Sequence, residues 1–387
     1  MHPLVASVAL LAALAAVWFQ LHLRPILATA GYNRLPQPIG NTDCFTVPKV
    51  QACEKLVIHQ PSGAVYLACS TLASRPHWIP AVGRLNASAA SRNDYVALYD
   101  PSTSTTTRLS IANFNSDRGL SLHGMDIVPS SADPNHLFIY LINHRAPLNG
   151  QLANLVGADS AVEIFETHVG SSVLTHIKTV EHPTIITPND LVGFGDGNSF
   201  YVTNDHGEKL GFRRELEPFG RASSSVVYCH IDKGCKFAIT KLQGSNGIAR
   251  ASNDTFYVAS CARGALYVLE RQNHDDLVLS EVIKTDRFLD NVAIDTNGAI
   301  WAAGFTTFTT VFKHFADPSI PSPSSALRIT INTGPQAFYG EKYRVDKVFE
   351  DDGSLASGIT SAAYDAERHR LYLHGLAAPQ LVVCNLS

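Results

Sequence analysis

The chain has 387 residues, 45% of them hydrophobic and only 17% charged, with a net charge of −4 at pH 7. This balance supports a large buried core, and the lack of any basic cluster or run of like charge excludes a nucleic-acid surface. The length is large for one ordinary domain, but single all-β barrels and propellers reach it.

The first element is apolar. Residues 4–23, LVASVALLAALAAVWFQLHL, carry no formal charge and end at Arg24. Their length lies between that of a signal-peptide core and that of a membrane span. The small residues Ala12, Ala13, Ala15 and Ala16 run straight into Val17, Trp18 and Phe19, which blurs any cleavage site. Residues 1–30 therefore read as a secretory signal, cleaved or retained as a membrane anchor. The rest of the chain is then expected on the lumenal or extracellular side. Seven cysteines and three N-x-S/T sequons, at Asn86, Asn253 and Asn385, fit the same oxidising route. Cys229 and Cys235 flank the turn-like HIDKG, which a small disulfide loop would close.

Beyond residue 40 helical periodicity is scarce, and short β-rich runs alternate with Gly, Asn, Asp, Ser and Pro. Six runs share one shape, an apolar strand after a polar turn: GAVYLACS, NHLFIYLINH, NSFYVTND, DTFYVAS, GAIWAAG and HRLYLHG. Their central positions, Tyr66, Ile139, Tyr201, Tyr257, Trp301 and Tyr372, are 44 to 73 residues apart, and other strand candidates fill the intervals. Six repeats of about four strands predict an all-β, six-bladed propeller over residues 40–387. Two β-sandwich domains are the rival reading, but no linker divides the chain cleanly. A propeller must close its ring, and a Cys44–Cys384 disulfide would tie the first strand to the last.

Polar residues recur where apolar strands begin. Glu54 precedes LVIH, Asn189-Asp190 precede LVGFG, Asn246 lies in GSNGIA, and Asp290-Asn291 interrupt FLDNVAID. A buried carboxylate beside an amide is costly unless both find partners. Propeller blades surround a central channel into which innermost strands aim their ends. Glu54, Asn189, Asn246, Asp290 and Asn291 together make a hard-oxygen cage. Such a cage suits Ca²⁺, which accepts about 6–8 oxygens including neutral carbonyls, better than it suits zinc. Any one of these residues alone reads more readily as a turn residue bonded to its own backbone. The recurrence is the argument for a cage. His123, in LSLHGMDIV, and His144, ending LFIYLINH, sit in similar settings, but with sixteen histidines present spacing does not select them.

The stretches LSLHGMDIV, LFIYLINHR, SAVEIFE, TPNDLVGFGDGNSFYVTNDH, SNGIA and FLDNVAID resemble, in order, the serum paraoxonase/arylesterase family, from about Cys44 to Cys384. The resemblance implies a six-bladed propeller with two calcium ions in its channel, a terminal disulfide and a retained hydrophobic N-terminus. It also implies hydrolysis of lactones and aryl esters, with organophosphates as a side activity. It assigns Glu54, Asn189, Asn246, Asp290 and Asn291 to the catalytic calcium, and His123 and His144 to a proton-transferring dyad. Asp205 and His206, in TNDH, match an element taken as support around the site. The implied chemistry is a calcium-polarised carbonyl attacked by a His123-activated water, with direct attack by Asp290 as the alternative.

Two departures stand out. The family places an acidic residue after the cage Glu to bind the second, structural calcium; here that residue is Lys55. The other ligands of that site match Asp190 and the Met125 carbonyl. Lys55 paired with Asp190 is expected to replace the structural ion, giving one calcium per chain. In WAAGFTTF, Phe305 stands nearest a family His, which makes the site wall more apolar and counts against organophosphate hydrolysis more than against lactone hydrolysis. Arg213, Arg214 and Arg221, in a rim loop, are expected to be a solvated face, the alternative being attraction of an acidic substrate or product. Other classes with this architecture are a strictosidine-synthase-like enzyme, whose chemistry needs a Glu and no calcium cage, and an inactive binding propeller.

Overall fold

The structure, a computed structural model, describes residues 3–217 and 220–386. From Cys44 to Asn385 it consists mainly of strands, arranged in six main sheets as a six-bladed β-propeller. The innermost strands, which number the blades 1 to 6, are Cys53–His59, Leu122–Pro129, Pro188–Gly193, Ser245–Arg250, Leu289–Ile294 and Ser361–Asp365. Each packs against the next, and the sixth against the first, so the ring is closed. Blade 2 gains a fifth strand, Ser110–Ala112, which pairs in parallel with its outer strand Val173–Val180.

The repeating positions read from the sequence all fall on the second strand of their blade, from Tyr66 in Ala64–Cys69 to Tyr372 in Arg370–His374. Period-two alternation sends one row of side chains to each face of a blade, so every blade must bury both faces. The apolar core accordingly divides into clusters lying between successive blades. Leu56, Val65 and Tyr99 of blade 1 pack on Tyr372 and Val383 of blade 6. Val202 and Phe200 of blade 3 pack on Ile142 and Val162 of blade 2.

Blade 6 takes its outer strand, Cys44–Val47, from the N-terminal side of the chain, paired with Leu381–Asn385. Cys44 faces Cys384 across this pair and is bonded to it, 340 residues away. Closing so long a loop removes about 6 kcal/mol of unfolded-chain entropy in the chain-entropy model. Cys229 and Cys235 are also joined, across a hairpin of blade 3. A third disulfide, Cys53–Cys69, links the first two strands of blade 1 and was not anticipated from spacing. The three sequon asparagines are exposed.

Before the propeller, the helix Ser7–Thr29 is long and apolar enough to cross a membrane, and no residue of its most apolar stretch is buried. The chain after it docks on the propeller. The Phe308 amide donates to Ala30 O at 2.9 Å, and Arg34 donates to Thr306 O at 3.2 Å.

Candidate metal centre in the channel

An ordinary strand shows consecutive side chains to opposite faces. Five of the six inner strands break that rule at their first residues, and all five carry a functional candidate there. In blade 5, Leu289 pairs with Gly304 and Val292 with Ala302, so Asp290-Asn291 face a single partner residue. The same extra residue appears at Asn189-Asp190, at Asn246-Gly247 and at His123-Gly124. In blade 1 the register slips between Cys53 and Lys55, at Glu54. A β-bulge re-aims a side chain and twists the strand. Here it lets two successive residues serve the channel, which explains an Asp beside an Asn in an apolar run. Blade 6 keeps regular register over Ser361–Asp365.

The bulges stack the channel in two layers. The first residue of each gives an upper layer of Glu54, His123, Asn189, Asn246 and Asp290. The second gives a lower layer of Lys55, Asp190 and Asn291, with glycines at the two other places. Those glycines are steric necessities: a Cβ on Gly124 would lie 2.7 Å from Asp190 Cα, and one on Gly247 would lie 2.7 Å from Val292 N.

The upper layer is rich in oxygen and short of donors. Glu54 Oε2, Asn189 Oδ1 and Asn246 Oδ1 are buried without a hydrogen-bond partner. Such orphans are rare, because each forfeits its hydration for nothing. Burial, followed by the nearby negative charge of Asp190, pushes Glu54 up to about 8. Burial and the charge of Glu54 hold Asp290 well above the usual carboxylate range. These are hard oxygen donors of one kind, carboxylate and amide, and as a set they fit Ca²⁺. Among the described residues no cluster of three or more His, Cys, Asp and Glu has metal-holding geometry, so the candidate rests on mixed carboxylate and amide oxygens. Asn291 differs from the other four: its Nδ2 donates to Glu54 Oε1 at 2.5 Å, while its Oδ1 accepts from Lys55 at 3.4 Å. Rotation of that amide would be needed to offer its oxygen to an ion above.

The two histidines lie beside this layer, ring centroids 5.0 Å apart. His123 Nε2 is 3.4 Å from Asn189 Nδ2 and 4.0 Å from Glu54 Oε1, whereas His123 Nδ1 has no partner. His144 Nδ1 meets Ser160 Oγ at 2.8 Å and leaves Nε2 unpartnered. Burial, then His144 and Arg75, hold His123 well below the ordinary imidazole range. Burial, aided by Arg75, Lys209 and Arg214, pushes His144 down to about 3. In both rings burial disfavours the charged form, and each keeps one ring nitrogen without a partner.

Arg75 was not singled out from the sequence. Its buried guanidinium donates to Ala52 O at 3.0 Å and to Leu122 O at 3.2 Å, tying together the chain entering Glu54 and the chain entering His123. Asp205 is buried with an unpartnered Oδ1 and lines a cavity of about 20 Å³ with His144, Ser160, Lys209 and Arg214. His206 turns away from the cage and pairs with Glu217 within the overlying loop. Arg214 corrects the expectation of a solvated face: it is buried, and donates to Pro80 O at 2.9 Å and to Ala81 O, fastening that loop across the site. Met125 is buried in the apolar cluster between blades 1 and 2. Phe305 packs with Phe288, Ile79 and Val311.

A family model for arylesterases matches residues 83–386, beginning after Glu54 and Lys55. Human serum paraoxonase/arylesterase 2 is 29% identical over 248 residues, 63% of this chain and 64% of that protein. Rabbit serum paraoxonase/lactonase 3 is 28% identical over 258 residues, 66% of each chain. The match to the human relative thus spans a little under two thirds of its length. Two solved structures share the fold. A luciferin-regenerating enzyme has TM-score 0.50 and 13% identity over 91% of this chain and 95% of that one. The PQQ-bound aldose sugar dehydrogenase of Streptomyces coelicolor has TM-score 0.51 and 12% identity over 90% and 98%. With more than half of its length matched by the family model, this chain belongs to the arylesterase family.

Proposed function

We propose that this protein is a calcium-dependent hydrolase of carboxylic esters, of arylesterase or lactonase type, working in the secretory pathway or outside the cell. One observation carries the reading. Unpartnered buried oxygens from three different blades, Glu54 Oε2, Asn189 Oδ1 and Asn246 Oδ1, sit at the same bulged end of their inner strands, with His123 Nε2 4.0 Å from Glu54 and 3.4 Å from Asn189 and with His144 beside it. Family membership and the disulfides support it.

Glu54, Asn189, Asn246 and Asp290 would hold the ion, joined by Asn291 once its amide turns. When bound, calcium supplies Lewis-acid polarisation of an ester carbonyl and stabilises the developing oxyanion. The chain's own groups do the rest. His123 is the candidate base, because it stands beside Glu54 and Asn189 and its Nδ1 is left without a partner, open to a proton from water. His144 is a positioning group: Ser160 fixes its Nδ1, and the Trp78 indole donates to its backbone carbonyl at 2.9 Å. Arg214, which fastens its loop to Pro80 O and Ala81 O, lines with His144 and Asp205 a cavity of about 20 Å³ beside the dyad, room for about one water molecule. Ser7–Thr29 gives a route to membrane association.

The test is hydrolysis of phenyl acetate and a panel of γ- and δ-lactones by protein expressed through a secretory route, with calcium and after chelation. Activity that vanishes with chelator and returns with calcium supports the reading. Hydrolysis that persists after all metal is removed refutes it. If His123→Gln retains the full rate while Asp290→Asn loses it, Asp290 replaces His123 as the reacting group.

A further inference from the structure

The lower layer of the channel answers a question the upper layer leaves open, namely what holds six inner strands together when no metal is bound. Lys55 is 4% exposed and Asp190 fully buried, and their Nζ and Oδ2 are 2.6 Å apart. The same ammonium donates to Val292 O at 3.3 Å and Asn291 Oδ1 at 3.4 Å. One cation thereby links blades 1, 3 and 5, the alternate members of the ring. Blade 4 joins through the Ile248 amide, which donates to Asp190 Oδ2 at 2.9 Å. Blade 6 joins through Thr360, whose hydroxyl donates to Glu54 O at 2.8 Å. Blade 2 is held by Asp126, whose Oδ2 accepts from the Gly193 amide of blade 3 at 2.9 Å.

The chemistry around Nζ is that of a cation site: a carboxylate, an amide oxygen and a backbone carbonyl, all oxygen donors. The occupant is a side chain of the protein. A second calcium does not fit, because the ammonium already stands among these oxygens and has no lone pair to offer an ion. We propose that Lys55 is the resident cation of this layer, that the propeller consequently keeps its fold without any metal, and that calcium is a reversible occupant of the upper layer alone. The last clause rests on the calcium reading above; the first two do not. A protein so built can lose and regain its ion without unfolding, so free calcium switches its activity without consuming the protein.

The experiment measures calcium per chain and thermal unfolding of the full chain, before and after chelation and after calcium is restored. The expected result is at most one ion per chain, a Tm that falls by less than about 10 °C on chelation, as for loss of an ordinary ligand, and complete recovery of calcium binding. Two ions in the untouched protein, or unfolding at room temperature on chelation, overturn the proposal. In the converse variant Lys55→Asp, the site is expected to gain one calcium per chain and its Tm to become strongly calcium-dependent. A folded variant that gains no metal also overturns it. Should the variant fail to fold, the wild-type chelation result decides. Absent esterase activity with a metal-independent fold would refute the calcium-hydrolase reading and leave the role of Lys55 standing.

Discussion

The two layers of the channel are built by the same device, a one-residue bulge at the start of an inner strand, and they end in opposite states. The lower layer is largely satisfied: Lys55, Asp190, Asn291 and Asp126 bind one another or backbone groups across the ring, and only Asp190 Oδ1 among them is left without a partner. The upper layer is not: Glu54, Asn189, Asn246, His123 and His144 each keep a buried atom without a partner. Polar groups that close on one another hold strands together; polar groups left open are ready for a ligand. Under the proposed function, that division gives stability to the lower layer and chemistry to the upper one, and substitutions can break it.

The largest effects are expected above. Glu54→Gln or Asp290→Asn removes one of the two carboxylates from the cage and should cost roughly 10²–10³ in kcat, on the scale of losing an electrostatic stabiliser of the transition state. Equilibrium calcium analysis should show the lost ion directly. His123→Gln should cost about 10²–10⁴ in kcat with calcium still bound, which separates proton transfer from metal binding. For the two carboxylate variants Tm in the absence of calcium should hold or rise, because desolvation and mutual repulsion already oppose these charges in the folded state.

Below, the order reverses. Lys55→Met strands the Asp190 carboxylate in the interior, and breaking a buried pair in this way costs about 3–5 kcal/mol. Denaturant unfolding of the metal-free protein should register that loss. The exposed pair of Lys342 and Glu281, 2.8 Å apart, offers a control, since removing Lys342 should cost under about 1 kcal/mol. Equal losses for the two lysines would remove the special standing of Lys55.

How far this was legible in the sequence follows from the physics of each element. The blades were readable because buried second strands need a continuous apolar run with a large central residue, and Tyr66, Tyr201, Trp301 and Tyr372 supply it. Asp290-Asn291 stood out because a carboxylate and an amide side by side violate strand alternation, though the bulge that accommodates them leaves no mark of its own. Lys55 stood out only as a departure from a resembled family. Arg75 and Arg214 were unreadable, because both bond backbone carbonyls brought close by folding, and carbonyls carry no sequence signal. The Cys53–Cys69 pairing was hidden likewise, as seven cysteines allow many pairings, yet Cys53 adjoins Glu54 in the chain.

That adjacency joins the two layers. Cys53 is the last residue in register before the slip at Glu54, and its bond to Cys69 fixes the strand from which both Glu54 and Lys55 project. Replacing both cysteines by Ala frees a 16-residue separation and should cost about 3 kcal/mol in the chain-entropy model. Pure loss of unfolded-state constraint would lower Tm and leave calcium affinity and kcat as they were. If the bond also holds the bulge, calcium affinity should fall about tenfold beyond what the unfolded fraction explains, since a cage oxygen released from its position must be re-ordered on binding. The smallest change probes the spacing between layers. Gly247→Ala places a Cβ against Asn291 and Val292 and should cost about 1–3 kcal/mol as an overpacked site. Because Asn291 touches both Glu54 and Lys55, the strain it takes up should appear in both readouts, Tm without metal and affinity for calcium. A loss confined to Tm would mean that the layers are mechanically separate, and that the upper cage keeps its geometry whatever happens below it.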